Sequence, residues 1–339
     1  MRVWALLLLA ALLAYWLLFT GSLSTPQVTT TARPSTSPPM KTGNESNFLP
    51  LRDVLLTNGS MNEFFDEVTV STASRALPEK GSISCFLFTH PKHYFRVDAV
   101  VKTWLPRCDR GEFYVSKIIG DGQPYFKPGV NGQIVDSEVP FTTVLQEIPD
   151  DHPHLFSKGL QAMKYAFTRF PDFDWYIKAD GDSYIVMDNL RKYLARFDPN
   201  TPHYLGHRMN FTKKYMRHGY NGGGGYVLSK AAMRLFSEKL YHNRTLCPPS
   251  EHEDAGIGEC LASLGIFPED TRTPSGQQRF NGFTFEEMLN QKIGQAFLYD
   301  KYDPQLKGMA AIPSDLISVH HVSPSEILAY DVLLNRVRS

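Results

Sequence analysis

The first apolar segment of the chain, residues 3–19, is an unbroken run of seventeen uncharged residues. A helix needs about 17–25 such residues to cross a bilayer, whereas the apolar core of a signal peptide has about 7–15. Because Arg2 precedes the run, the amino terminus is expected to stay in the cytosol. The pattern predicts a signal-anchor transmembrane helix over 3–19 behind a cytosolic tail of residues 1–2. A cleaved signal peptide is the alternative, and both place the rest of the chain in the secretory pathway.

A polar segment follows this run. Residues 20–46 contain sixteen Ser, Thr or Pro among twenty-seven. Such a composition cannot bury enough apolar surface to order the chain, and it is typical of O-glycosylated spacers. With the mixed residues that follow, where a short helix is expected around 62–68, it predicts a disordered luminal stem over residues 20–82. Four N-glycosylation sequons begin at Asn44, Asn58, Asn210 and Asn243.

From Ile83 onward, short apolar runs of strand length alternate with amphipathic segments of helix length. The predicted strands cover residues 82–90, 111–119, 142–148 and 175–180, and the predicted helices cover 94–104, 154–170 and 189–197. On the longest helix, Leu160, Met163 and Phe167 form a stripe that is typical of a buried face. The alternation predicts a layered α/β domain built on a mostly parallel sheet.

The composition supports a folded domain and narrows the function. Of 339 residues, 42% are hydrophobic and 12% aromatic, which is ample material for a core. The 35 basic residues equal the 35 acidic ones, which leaves no basic field for nucleic acid. At about 150 residues per domain, the length suggests two domains. With the anchor and stem set aside, a single domain of 257 residues remains, 83–339.

All four cysteines, Cys85, Cys108, Cys247 and Cys260, fall in the predicted luminal part. No C-x-x-C pattern is present, which argues against a zinc ribbon. In an oxidising compartment two structural disulfides are expected. Three pairings are open, and proximity along the chain favours Cys85–Cys108 and Cys247–Cys260.

A D-x-D motif, Asp180-Gly181-Asp182, directly follows the predicted strand 175–180. Ligands of open α/β sheets bind at the carboxyl ends of the strands, and two carboxylates at this spacing can hold a divalent cation. Such a cation neutralises the charge of a departing nucleoside diphosphate. A bare D-x-D is a common surface turn. After an apolar strand in a luminal, anchored chain it instead predicts a nucleotide-sugar-dependent glycosyltransferase.

Four consecutive glycines, residues 222–225, precede an apolar strand and a helix. Glycines allow the backbone to approach a ligand closely, and Gly223 and Gly224, in the middle, are candidate donor-binding positions. A flexible turn is the alternative. The run matches neither the Walker nor the Rossmann fingerprint, so it does not predict a P-loop.

Two further motifs carry titratable groups. Glu253 and Asp254 stand where a helix is expected to begin, so they either favour its dipole or include a general base for an acceptor hydroxyl. His320 and His321 are flanked by valines, and in a strand their side chains point to opposite faces. One of them could then bind the cation while the other is exposed.

In this order and spacing, the motifs resemble the core 1 β1,3-galactosyltransferases, or T-synthases, of glycosyltransferase family 31. The resemblance covers most of residues 83–323. It is carried by the stretches 96–108, 175–184, 188–191, 222–230, 253–260 and 318–322.

The resemblance implies an α/β fold of the GT-A type, a Rossmann-like mixed sheet flanked by helices. It also implies a Golgi, single-pass type II, inverting enzyme that needs Mn²⁺ and is often a homodimer. The family transfers galactose from UDP-galactose to GalNAc O-linked to Ser or Thr of a glycoprotein. The implied roles are metal binding for Asp180, Asp182 and His320, general base for Asp254 with Glu253 beside it, and contact with the uridine end for Thr89 and Arg96.

This chain departs from the family pattern in three places. Gly181 replaces the middle acid of the motif, and residues 311–315 lack the two adjacent cysteines that the family carries before the late histidine. Residues 277–309 resemble the family least, and acceptor contacts are expected partly there. Three alternatives remain: a Fringe-like β1,3-transferase that uses UDP-GlcNAc, a catalytically silent chaperone-like paralogue, and a luminal calcium-binding module, although no EF-hand spacing appears.

Overall fold

The computed structural model describes residues 48–50, 69–71, 80–89, 94–116, 119–120, 123–124, 141–142, 144–149, 151–210, 218–290, 292–294, 297, 300 and 303–335. The predicted anchor at 3–19, the sequons at Asn44 and Asn58, and the expected helix around 62–68 lie outside these residues. None of the helices in the described part is long and apolar enough to span a bilayer.

The described chain contains strands and helices in alternation. The strands are β1 (Phe48–Pro50), β2 (Thr69–Ser71), β3 (Ile83–Phe88), β4 (Arg110–Tyr114), β5 (Ile119–Gly120), β6 (Gln123–Pro124), β7 (Phe141–Thr142), β8 (Trp175–Asp180), β9 (Tyr184–Ile185), β10 (Tyr204–Met209), β11 (Tyr220–Ser229) and β12 (Ser318–Val319). The α-helices are α1 (Tyr94–Val101), α2 (Leu155–Arg169), α3 (Met187–Leu194), α4 (Lys230–Leu235), α5 (Glu253–Ala262), α6 (Phe285–Leu289) and α7 (Pro324–Asn335). Shorter 3-10 turns cover Leu105–Arg107, His152–His154 and Gly308–Ala311, and a π-helical turn, Phe236–Leu240, extends α4.

The central sheet has six strands in the order β10-β11-β8-β3-β4-β7. Strands β3, β4, β7 and β8 pair in parallel, whereas β11 is antiparallel to both β8 and β10. The sheet is therefore mixed, as the resemblance implies, and the parallel arrangement expected from the alternation holds for its central strands. Within the predicted stem, β1 and β2 form a separate antiparallel pair.

Both faces of the sheet are apolar and covered by helices. On β3, Cys85 and Leu87 point into one core, which α1, α3 and the C-terminal residues cover. The alternate residues Phe86 and Phe88 point into a second, aromatic-rich core, which α2, α4 and α5 cover. Because side chains alternate along a strand, continuous burial of β3 requires a layer on each side of the sheet.

Two expectations about apolar runs differ from the structure. The run 142–148 was expected to be a strand, but the strand ends at Thr142 and the chain turns over 144–147. From this turn Leu145 is buried in the aromatic-rich core, so the apolar residues pack without pairing. The glycines at 222–225 lie inside the ten-residue strand β11, which excludes the alternative of a flexible turn.

The two disulfides pair as proximity favoured. Cys85 on β3 bonds Cys108, and Cys247 bonds Cys260 on α5. No free cysteine remains in the chain. The first bridge ties the sheet to the segment after α1, and the second ties the loop before α5 to the body of that helix.

Candidate active site

The D-x-D motif lies at the carboxyl end of β8, beside the carboxyl end of the parallel strand β3. The amide of Gly181 donates to the carbonyl of Phe88 at 3.2 Å. The indole Nε1 of Trp104 donates to the carbonyl of Ser183 at 3.0 Å. Because these bonds come from neighbouring elements, the turn that carries both carboxylates is held at the edge of the sheet where ligands of α/β folds bind.

His320 reaches the same edge from a distant part of the chain. Strand β12 pairs antiparallel with β9, directly after the motif, and the amide of Val322 donates to the carbonyl of Asp182 at 3.0 Å. This brings the Nε2 atom of His320 to 3.2 Å from Asp182 Oδ1 and 4.0 Å from Asp180 Oδ2. The two aspartates and His320 are therefore brought together, as the resemblance implied.

The expectation that His320 and His321 point to opposite faces is wrong. Strand β12 ends at Val319, and His321 adopts a left-handed backbone with φ 61°, the only described non-glycine residue to do so. The two imidazole rings consequently lie 4.2 Å apart between centroids, and both line the same cleft. His320 has the shorter contact with the acidic pair.

Asp182 is held ionised by its neighbours. The Arg96 guanidinium lies 3.1 Å from Asp182 Oδ2, while His320 contacts Oδ1. Burial acts to raise the pKa of Asp182, but the hydrogen bond and charge of His320, together with Arg96, outweigh it and lower the pKa to about 2. A carboxylate that stays charged at every physiological pH suits a cation ligand.

The donor set fits a divalent cation such as Mn²⁺. Two carboxylates and one imidazole are ligands that this class of ion accepts. Thr89 Oγ1 and His320 Nδ1 are buried at the same edge and have no hydrogen-bond partner within the described chain. Of these three side chains, His320 approaches both carboxylates, at 3.2 Å from Asp182 and 4.0 Å from Asp180. Among the described residues, no group of three or more His, Cys, Asp or Glu forms a ready-made metal site.

The glycine run reaches this edge because β11 is antiparallel to β8, with Tyr226 opposite Lys178. Gly223 lines the cleft and has φ +73°. Gly224 does not line it. A Cβ there would lie 2.6 Å from both the carbonyl oxygen of Asn281 and Ser318 Oγ, so Gly224 is needed for close packing behind the strand.

The acidic pair at the start of α5 also lines the cleft, and its two members have different surroundings. Glu253 is 7% exposed and accepts a hydrogen bond from Tyr226 at 2.7 Å. Asp254 accepts a bond only from the adjacent Ala255 amide among the described contacts, at 2.8 Å. Burial raises the pKa of both carboxyls. Asp254 is the less buried of the two and has no side-chain hydrogen-bond partner among the described contacts, whereas both oxygens of Glu253 are engaged.

Sequence analysis missed Lys178, which precedes the D-x-D motif on β8. Its side chain is buried and makes ion pairs with Asp180 at 3.1 Å and Glu253 at 3.2 Å. Burial would lower the pKa of Lys178, but the two carboxylates outweigh it and raise the pKa. A lysine inside an otherwise apolar strand, WYIKAD, was the signal in the sequence.

These groups line one cleft of about 600 Å³. Asp180, Asp182, His320 and Asp254 all line it, together with Asp151, His152, Leu155, Lys158 and His252. No described residue between 277 and 309 lines it, and acceptor contacts there stay a prediction. A cleft of this size can hold a nucleotide sugar with a carboxylate base beside it.

Comparison with known proteins gives matches in the same class. The family model described as Galactosyltransferase matches residues 141–219, which include the D-x-D motif. Glycoprotein-N-acetylgalactosamine 3-beta-galactosyltransferase 1 of Xenopus laevis is 27% identical over 276 residues, 79% of this chain and 70% of that protein. Lactosylceramide 1,3-N-acetyl-beta-D-glucosaminyltransferase of Mus musculus is 26% identical over 239 residues, 60% of this chain and 61% of that protein.

The chain is a glycosyltransferase. The resemblance to the core 1 β1,3-galactosyltransferases is confirmed by the first of these relatives, and the coarser β1,3-glycosyltransferase likeness is shared by the second. The mixed sheet with its acidic pair at the end of β8 is the GT-A arrangement that the resemblance implies. Among solved structures, the galactosyltransferase LgtC with donor and acceptor sugar analogs has a TM-score of 0.40 and 11% identity. The alignment covers 76% of this glycosyltransferase and 98% of that chain.

Proposed function

We propose that this glycosyltransferase transfers galactose from UDP-galactose, in β1,3 linkage and with inversion, to GalNAc that is O-linked to Ser or Thr of a glycoprotein. The observation that carries the proposal is the shared cleft. Asp180, Asp182, His320 and Asp254 all line it. The name of the Xenopus laevis relative supports the choice of donor and acceptor.

In this proposal Asp254 takes the proton from the 3-hydroxyl of GalNAc as that oxygen attacks the anomeric carbon. General-base help of this kind contributes about 10²–10⁴-fold. Thr89, directly after β3, and Arg96, on α1, line the cleft beside Gly181 and would contact the donor. Asp180, Asp182 and His320 would hold Mn²⁺, which supplies Lewis-acid neutralisation of the diphosphate. This backside attack breaks the bond between the anomeric carbon and the diphosphate oxygen, so UDP departs and the α-linked donor gives a β-linked product.

The setting that we propose is the Golgi membrane. Residues 3–19 would anchor the chain with its catalytic domain in the lumen, where the acceptor glycoproteins and the oxidised disulfides are both found. A homodimer is part of the family expectation, and size-exclusion chromatography with light scattering would test it.

The test uses the full chain expressed in microsomes, with UDP-galactose and a GalNAc-peptide, in Mn²⁺ or in EDTA. We expect transfer only with Mn²⁺, and a loss of at least about a hundredfold for Asp182→Asn, because removing a cation ligand removes several kcal/mol of charge stabilisation. The matched control is Asp172→Asn, an exposed aspartate before β8. Near-full activity of Asp182→Asn in saturating Mn²⁺ would contradict the metal assignment.

The second candidate function is transfer of GlcNAc in β1,3 linkage, which the resemblance to the Mus musculus relative favours. UDP-GlcNAc and a lactose-terminated acceptor in the same assay separate the two. Transfer from UDP-GlcNAc and not from UDP-galactose would replace the first proposal. If the protein binds UDP and Mn²⁺ but transfers sugar to neither acceptor, both candidate functions would be wrong.

A further inference from the structure

Lys178 is a buried cation to which no role in the reaction has been assigned above. It is 8% exposed and points to the same face of the sheet as Asp180, two residues further along β8. Its ammonium lies 3.1 Å from both carboxylate oxygens of Asp180 and 3.2 Å from Glu253 Oε2. One side chain therefore contacts the last residue of β8 and the first residue of α5.

The Glu253 end of this contact is fixed from two other sides. Tyr226, on β11, donates to Glu253 Oε1 at 2.7 Å. On α2, the backbone at Gly159 approaches so closely that a Cβ there would lie 2.9 Å from the same oxygen. Both carboxylate oxygens of Glu253 are engaged, so its side chain is held in one orientation at the edge of the cleft. Glu253 is thus an anchor for the start of α5, and the next residue along that helix is Asp254.

We propose that Lys178 is a positioning residue that ties the end of β8, which carries Asp180, to the start of α5, which carries Asp254. By holding Asp180 and Glu253 together, it sets the separation between the D-x-D pair and Asp254. Its effect on the reaction is exerted through those carboxylates and not by contact with substrate. This inference rests on the proposed function, because it assigns Asp254 and Asp180 to the two halves of one reaction.

A positioning role differs from a contribution to folding in what it changes. If Lys178 only stabilised the fold, activity per folded molecule would be unchanged by its loss. If it served the cation site alone, turnover and cation affinity would fall together. If Lys178 instead holds β8 and α5 in position, its loss should slow turnover while the cation stays bound. Removing a positive charge near Asp180 should even favour a divalent cation there, since like charges repel.

The experiment compares Lys178→Met, Lys178→Arg and Tyr226→Phe in the full chain. Lys164→Met is the matched control, because that lysine is half-buried on α2 and bonds Ser237 at 2.9 Å, outside the cleft. The measurements are kcat and KM with the best donor, Mn²⁺ affinity by calorimetry, thermal midpoint, and hydrogen exchange of the amides at the start of α5. Tyr226→Phe removes a single hydroxyl, so it keeps the test informative should Lys178→Met fold poorly.

We expect Lys178→Met to lower kcat at least about a hundredfold, with Mn²⁺ bound as tightly as in the parent or more tightly. Lys178→Arg should recover part of that loss, and Tyr226→Phe should lower kcat about tenfold with donor KM within threefold. Exchange at the start of α5 should quicken in Lys178→Met and Tyr226→Phe and stay unchanged in Lys164→Met.

Three results would overturn the inference: kcat of Lys178→Met within threefold of the parent, equal losses of turnover and Mn²⁺ affinity, or unchanged exchange at α5. Failure of the proposed function looks different, because the parent protein itself would then fail to transfer galactose. In that case, hydrogen exchange of the amides at the start of α5 still decides whether Lys178 holds β8 and α5 together.

Discussion

Gly222 is in direct contact with the proposed base, and a single methyl group at this position tests that assignment. A Cβ built on Gly222 would lie 2.5 Å from Asp254 Oδ2, 3.0 Å from Met209 Sδ and 3.4 Å from a ring carbon of Tyr220. Contacts of a Cβ below 3.0 Å essentially do not occur, so in Gly222→Ala the carboxylate must move by at least the difference, 0.5 Å.

The size of the effect follows from that displacement. A misplacement of about 1 Å costs about a hundredfold in rate, so we expect kcat to fall roughly 10- to 100-fold. The carboxylate is the end of a side chain and can rotate away, so the stability cost should stay near the low end of the roughly 1–3 kcal/mol that overpacking causes. KM for the donor should change little, because the atoms nearest to a Cβ on Gly222 belong to Asp254, Met209 and Tyr220 and not to Asp180, Asp182 or His320.

The assay measures initial rates of galactose transfer at saturating donor for Gly222→Ala, Asp254→Asn and the double variant. The control is Gly294→Ala, whose Cβ would meet only Phe297, at an ordinary 3.7 Å. If Gly222 acts through Asp254, the methyl group should add no further loss to Asp254→Asn. A kcat of Gly222→Ala within threefold of the parent, or full additivity in the double variant, would refute the reasoning.

Two further predictions concern stability and modification. Burial lowers the pKa of His207 to about 4 from 6.5, so the unfolded chain takes up a proton that the folded one refuses as the pH falls below 6.5. This difference should lower the free energy of unfolding by about 2 kcal/mol at pH 5 and by about 3 kcal/mol below pH 4. His207→Asn should therefore reduce the fall of the thermal midpoint between pH 7 and 5. His242→Asn, at an exposed histidine, should leave that fall unchanged. Identical profiles for the parent and both variants would contradict the prediction. Asn243 is exposed and its Oδ1 accepts from two following amides at 3.1 Å, whereas Asn210 is 7% exposed. When the chain is expressed through the secretory pathway, removal of N-glycans should shift the mass of Asn210→Gln as much as that of the parent. Asn243→Gln should lack one glycan. A glycan on Asn210 would contradict this prediction.

Local signals predicted the parts of the site that lie within one stretch of chain. Strand β8 was expected at 175–180 and is found there, because an apolar run of six residues bounded by Pro171 and Gly181 has few other solutions. The start of α5 at Glu253 and both disulfides were likewise readable from spacing. The layered arrangement followed from the alternation of strand-length and helix-length runs, which predicted a mostly parallel sheet, whereas its mixed character was implied only by the resemblance.

What sequence reasoning missed depends on distant contacts. The backbone of His321 is left-handed because the chain must turn back for Val322 to bond the carbonyl of Asp182, and no local pattern encodes that partner. The glycine run is a strand because the backbones of Asn281 and Gly282 pack against it. Lys178 was overlooked because its partner Glu253 is 75 residues away.

The pairing of β9 with β12 joins two parts of the chain that are synthesised at different times. Asp182 and His320 are separated by 138 residues, and everything between them must be made before they can meet. A nascent chain that ends before β12 already carries the acidic pair but has no imidazole and no partner strand for β9. Closing so long a loop is slow compared with forming local helices. The proposed cation ligands are therefore brought together late, only after β12 has been made and has paired with β9.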